Sequence, residues 1–206
     1  MDTAAFITAF ATLFVVIDPP GLVTLFIALT SGMGFQRRRA LAIRACLIAF
    51  CLLLVFGLFG EPILHFIGIS MPAFRIAGGI LLFLTALDML FERRTERREG
   101  KQAEPDHDPS VFPLATPLIA GPGAIATMIL LMGEAGEDWI SKIAVLGLLV
   151  AIMVVTLLFL LAATPLEKML GRTGTLVITR LLGMLLAALS VQFVIDGIRS
   201  TGLIPL

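Results

Sequence analysis

The residues best suited to chemistry in this sequence sit at two interruptions of otherwise apolar stretches. The first is Asp18-Pro19-Pro20-Gly21; the second is Thr116-Pro117 followed by Gly121-Pro122-Gly123. Proline removes a backbone donor and clashes with the preceding turn, and glycine loosens the chain further, so neither stretch runs as unbroken helix. Unwound backbone in hydrocarbon is costly, because every unsatisfied amide or carbonyl there loses its hydrogen bond to water. It survives where protein or a water-filled cavity satisfies it. Two such breaks at equivalent places in a membrane chain point to a solute site near the midplane. The plainer alternative is a pair of kinks made for packing, although a kink usually needs one proline and the first break has two plus a glycine.

Helices restarting after Gly21 and after Gly123 would aim free N–H groups and a positive dipole end at the breaks. That arrangement suits a carboxylate or another anion, while the carbonyls that end the preceding half-helices suit a cation or an ammonium group. The candidate substrate-binding residues are therefore Pro20, Gly21, Gly121 and Gly123, with Thr24, Thr116 and Thr127 within a turn or so of the breaks. Each threonine hydroxyl has an equal claim to a bond back to its own helix. Asp18 is the strongest single candidate, because an ionisable group in an apolar interior costs about 2.5 kcal/mol or more unless it faces a cavity or a partner. It could hold a substrate ammonium, a coupling ion or a proton, or cap the turn made with Pro19 and Pro20. Arg75 and Arg180 occupy matching positions one turn into the third and sixth apolar stretches. They either snorkel to the headgroups or pair with a buried acid or a break carbonyl. Asp88, Gln192 and Asp196 fit interfacial or inter-helix hydrogen-bonding roles, and Gly78, Gly79 and Gly183 fit close helix packing.

The elements that position these residues are membrane spans. Of 206 residues, 58% are apolar and 15% charged, against about 25% charged in ordinary soluble chains, and mean hydropathy is +1.03. A span needs about 20 apolar residues, since a helix rises about 1.5 Å per residue across roughly 30 Å of hydrocarbon. Six stretches qualify or nearly do: about Ala4 to Met33, Leu41 to Phe59, Pro72 to Phe91, Val111 to Gly133, Ile143 to Ala163 and Leu176 to Ile198. The N-terminal stretch lacks a basic n-region and reads as a first span, not a cleaved signal. No soluble domain is expected.

Placing the two breaks in register reveals an internal repeat. Pro20 and Gly21 fall on Pro122 and Gly123 at an offset of 102, Pro62 and Gly68 on Pro165 and Gly171 at 103, and Arg75 and Gly78 on Arg180 and Gly183 at 105. Three spans per repeat invert the second half relative to the first. The expected fold is thus an all-α membrane protein of six transmembrane segments arranged as two inverted three-helix repeats, with segments 1 and 4 broken. Residues 1–91 form the first repeat, 92–110 a charged linker and 111–206 the second repeat. With all six crossing, eleven basic residues lie on the linker side and two, Lys142 and Arg199, on the other. The positive-inside rule then makes the linker cytoplasmic and puts both termini outside, in a cell inner membrane. If segments 1 and 4 are instead re-entrant hairpins, the same eleven-to-two count places the termini inside and makes the repeats parallel. The charges alone leave both arrangements open.

Zero net charge and basic runs at span ends give no case for nucleic acid. There is no P-loop, no HExxH and no serine or cysteine with a neighbouring histidine, so neither an enzyme nor a cofactor is expected. Cys46 and Cys51, five apart in an apolar run, match neither a redox pair nor a metal knuckle and are expected to be buried apolar cysteines. His65 is read as lying in a loop and His107 in the linker.

The motifs IDPPG at Ile17–Gly21, FRIAGGILLFLTALDML at Phe74–Leu90 and PLIAGPGAI at Pro117–Ile125, with the overall length, resemble the MarC family of small prokaryotic inner-membrane proteins. Members of that family are described as small neutral amino acid transporter-like and are placed near the LysE-type exporters. The resemblance implies a six-span fold of two related halves. It further implies secondary transport or export of small neutral amino acids or related metabolites, with a small-molecule substrate, a coupling ion or proton, and the lipid bilayer as partners. Two rival functions are a membrane thiol-redox carrier, which would need cysteines at the breaks, and a passive channel or structural membrane subunit.

Overall fold

A computed structural model describes residues 3–91 and 108–202. The linker residues Arg93, Arg94, Arg97, Arg98, Lys101 and His107 lie outside the described residues, as does the side chain of Arg172. The described residues are all-helical, in the order α1 (Thr3–Ile17), α2 (Pro19–Leu29), α3 (Phe35–Phe66), α4 (Met71–Leu90), α5 (Ser110–Ile119), α6 (Pro122–Ala135), α7 (Trp139–Leu161) and α8 (Ala163–Ser200). Among the described residues, five helical stretches are long and apolar enough to cross a membrane, and a sixth is formed if α5 and α6, bent by 56° at their junction, count as one.

The apolar runs located the spans, but several helices outrun them. α3 holds 32 residues, about 48 Å of helix, longer than the roughly 30 Å of hydrocarbon a span must cross. Arg37, Arg38 and Arg39 therefore ride on its first turns, and His65, expected in a loop, sits in its last turn. Ser70 caps α4 by accepting the Ala73 N–H, and Asp138 caps α7 by accepting from Ile140 and Ser141. Three hydrogen bonds to Asp138, from the Ser141 hydroxyl and from the two amides, hold its carboxyl below the usual range. α8 turns sharply at Gly171, whose φ of 65° favours glycine.

Helix ends sort into two layers. At one end Arg44 meets Asp108 at 2.8 Å, and Arg38 donates to Thr164 at 3.1 Å while lying over the Phe26 ring. At the other end Arg75 meets Glu134 at 2.8 Å. The far end of α6 thus lies at the start of α4, a full helix length from the linker that follows α4.

Glycine sets the closest approaches. A Cβ at Gly79 would stand 2.8 Å from the Ser190 carbonyl oxygen and 3.1 Å from the Val194 nitrogen; at Gly197 it would meet Ile76 and the Pro72 carbonyl, and at Gly183 Met89 and the Ala86 carbonyl. Contacts climb α4 as they descend α8, so the two helices run antiparallel. Lipid is as apolar as a leucine side chain, and backbones held this close are what drives such helices together. α6 is enclosed most completely. Ala126 to Met132 are all buried, packed among α1, α3, α4 and α7.

Gly79→Ala must push α8 away, because backbone atoms cannot swing aside as side chains do. The expected cost is about 1–3 kcal/mol, read as a lowered melting temperature in detergent. Gly147→Ala, with nothing within 4 Å of its added Cβ, should melt at or above the parent temperature, and equal melting of the two variants would refute the close-approach account.

Candidate functional site

The first break is tighter than the sequence suggests. Proline disfavours helical geometry in the residue before it, and Asp18 responds by taking a left-handed conformation (φ 56°, ψ 59°) that aspartate tolerates better than most side chains. Its N–H still donates to the Phe14 carbonyl at 2.9 Å, and its own carbonyl accepts from Leu22 at 3.1 Å. Pro19 and Pro20 fill the first helical positions, where no N–H is needed, and the Asp18 carboxylate accepts the Gly21 N–H at 3.1 Å. The start of α2 therefore has no free amide to offer. Asp18 itself is 2% exposed and Pro20 is buried. Thr24 donates back to the Gly21 carbonyl, the local bond that competes with any ligand. Against this kink lies Thr179 of α8, its Oγ1 3.0 Å from where a Gly21 Cβ would stand, buried and without a hydrogen-bond partner.

The second break is the open one. Thr116 is extended and Pro117 leaves helical geometry, the peptide between them is cis, and the Thr116 hydroxyl donates to the Val111 carbonyl at 3.1 Å. Gly121 precedes α6 with no side-chain cap. Pro122 has no N–H, Ile125 donates to Gly121, and the amides of Gly123 and Ala124 have no acceptor among the described residues. Here the helix start does present unpaired N–H groups, as the motif predicted.

Those amides border a cavity of about 220 Å³ between α6, the end of α5 and the second half of α4. Its polar lining includes Thr85 and Asp88 from α4, facing Gly121, Gly123 and Ala124. Thr85 is occupied by its own helix, donating to Leu81 at 2.9 Å. Asp88 is half-buried and has no hydrogen bond or ion pair among the described residues. Gly123 lets α4 come close, since a Cβ there would stand 3.1 Å from Leu82 and 3.4 Å from Thr85. A water takes about 30 Å³ of liquid, so the space holds several waters or one small solute. A carboxylate on one wall and unpaired amides on another make it dipolar.

Of the residues singled out from sequence, Gly121 and Gly123 line this cavity, and Thr116 sits in the break beside it. Thr127, one turn further along α6, is fully buried with an unpartnered hydroxyl and does not line the cavity. Asp18, Pro20, Gly21 and Thr24 belong to the separate kink. Arg75 is drawn to Glu134 at the far end of α6, and Arg180 lies exposed on α8 next to Thr179. Asp88 gains a place that spacing did not give it, although an ionisable residue in an apolar run was the signal. Nothing in the sequence marked Thr179. Cys46 is buried, but Cys51 is exposed on α3, and neither lines the cavity.

This architecture defines a multi-pass integral membrane protein. Residues 3–201 match the family described as MarC family integral membrane protein, and the chain belongs to that family. It is 40% identical over 202 residues to a UPF0056 membrane protein of Methanocaldococcus jannaschii, covering 97% of this chain and 98% of that one. It is 38% identical over 205 residues to a UPF0056 membrane protein of Archaeoglobus fulgidus, covering 96% of each. With the UPF0056 membrane protein YvbG of Bacillus subtilis it shares 35% identity over 202 residues, 95% of this chain and 94% of that one. No solved structure matches the chain.

The Asp18 geometry separates two substitutions. Asn keeps both the cap and the tolerance of left-handed backbone, so Asp18→Asn should melt within a degree or two of the parent. Asp18→Ala loses the cap bond and strains the backbone, at a cost of about 1–2 kcal/mol each. Thermal melts of the two purified variants check this; equal melting would mean the cap contributes nothing.

Proposed function

We propose that this protein is a secondary transporter or exporter of small neutral amino acids or related zwitterionic metabolites. The observation that carries the reading is the dipolar cavity at the second break. The amides of Gly123 and Ala124 suit a carboxylate, and Asp88 opposite suits an ammonium group. A zwitterion satisfies both walls at once. An apolar solute satisfies neither, and a free anion meets the Asp88 charge.

Alternating access between two inverted halves is the mechanism this reading favours. Three features support it. α4 and α8, the third helices of the proposed repeats, pack antiparallel. The bent α5–α6 pair reaches from the linker end to the Arg75 end of α4. Positive-φ glycines recur at Gly32 and Gly136, and at Gly68 and Gly171. In this scheme the linker is cytoplasmic, both termini face outward, and the membrane is the inner membrane. A coupling ion or proton would find its most buried acid at Asp18. A passive channel is the reading that a flux measurement separates, and the placement of Cys46 and Cys51 gives no support to a thiol carrier.

The test is uptake of labelled alanine into proteoliposomes, with and without an imposed ion gradient. Gradient-dependent, saturable uptake that falls at least ten-fold in Asp88→Asn is expected. Uptake that never saturates would indicate a channel. Binding gives a second check: alanine at one hundred times its dissociation constant stabilises by about 2.7 kcal/mol, a measurable rise in melting temperature, and alanine amide should not. Equal stabilisation by acid and amide would refute the carboxylate half of the site.

A further inference from the structure

α4 and α6 meet along one antiparallel seam whose two ends differ. At the linker end the cavity opens beyond the close contact of Gly123 with Leu82 and Thr85, where Asp88 and Gly121 line it. Towards the other end it closes. A Cβ at Gly78 would stand 3.3 Å from Leu130 and 3.5 Å from Ala126, and Gly133 lies against the Met71 side chain. The closed stretch ends in the ion pair of Arg75 with Glu134, 2.8 Å from Nη2 to Oε1, which joins residues 59 apart. Among the described residues no other ion pair connects α4 to α6. From Thr85 to Arg75 is about 15 Å along α4 at 1.5 Å per residue, so cavity and ion pair occupy opposite halves of one seam.

We propose that the Arg75–Glu134 pair is a latch on the face opposite the linker, holding the α4–α6 seam shut while the cavity stands open at the linker end, and parting when the seam opens. The purpose assigned to the latch rests on the transport reading; its existence does not. The chemistry suits a contact that must break in every cycle. Arg75 is 22% and Glu134 45% exposed, near the ends of α4 and α6, so the pair is not sealed inside the fold and either side chain can leave it. Such a pair biases an equilibrium between closed and open seams without locking it. The rest of the closed stretch is glycine, alanine and aliphatic side chain, which seals against water but carries no charge to specify register. The pair supplies that register.

The experiment places a single cysteine at Ala126, in the seam opposite Gly78, in a chain carrying Cys46→Ala and Cys51→Ser. Reconstituted protein is treated with an impermeant thiol reagent from the face opposite the linker. Arg75→Gln and Glu134→Gln should each raise the labelling rate about two- to five-fold, the range of a half-exposed ion pair. The charge exchange Arg75→Glu with Glu134→Arg should restore the slow rate. A control cysteine at Leu53, buried in α3, should stay protected in every variant. Unchanged labelling at Ala126→Cys, failure of the exchanged pair to restore it, or a parallel rise at Leu53→Cys would each overturn the latch, the last by showing a clamp of the whole fold. No transported solute is needed for this readout. Absence of any flux would therefore sink the transport reading and leave the latch to stand or fall on its own labelling.

Discussion

A backbone amide without a partner costs several kcal/mol in hydrocarbon, and this requirement governs both interruptions of the helical bundle. The chain meets it in two ways. At Asp18 the break closes on itself: prolines remove two donors, the aspartate side chain takes the third, and the main chain keeps its bonds on both sides. At Gly121 nothing caps the restarting helix, and its amides are left to a cavity. The same motif chemistry, proline followed by glycine, yields a sealed kink at Asp18 and an open break at Gly121. The difference lies in the residue ahead of the prolines, which is a carboxylate in one case and a glycine in the other.

That difference makes α4 the pivotal helix. One part of it closes on α8 through Gly79, another closes on α6 through Gly78, and its last turns carry Thr85 and Asp88 into the cavity. An ionisable group near the end of an apolar helix usually reaches for the interface. Asp88 lines the cavity across from the unpaired amides of α6, so the two walls carry opposite polarity. The glycines and the aspartate thus act together, the first bringing α4 close enough for the second to form the wall.

Much of the architecture was legible from hydropathy, because a span must hold about 20 apolar residues wherever it sits. Five or six apolar helices of spanning length among the described residues, the bend between α5 and α6, and the packing role of Gly78, Gly79 and Gly183 follow from that rule and from the chemistry of proline and glycine. Helix ends were less legible. α3 continues through Arg37–Arg39 and His65 since helix propensity, unlike hydropathy, does not stop at the membrane surface. The sequence left Asp18 open between a ligand role and a cap on the turn with Pro19 and Pro20, and it could not choose the cap, because that bond comes with a left-handed conformation no spacing reveals. Partners across the fold, such as Glu134 for Arg75 and Thr179 for Gly21, were out of reach because they depend on tertiary packing between distant parts of the chain.

The central claim is that the second break stays unwound because it borders water-accessible space reached from the linker side. It is tested most directly by single cysteines at Thr85, in the cavity wall, and at Gln102, in the linker, each in a chain carrying Cys46→Ala and Cys51→Ser and each exposed to an impermeant thiol reagent on one face of sealed vesicles. The account predicts that both positions label from the same face, and that alanine slows labelling at Thr85→Cys but not at Gln102→Cys. Labelling of Thr85→Cys from the opposite face only, or its full protection from both faces, would contradict it.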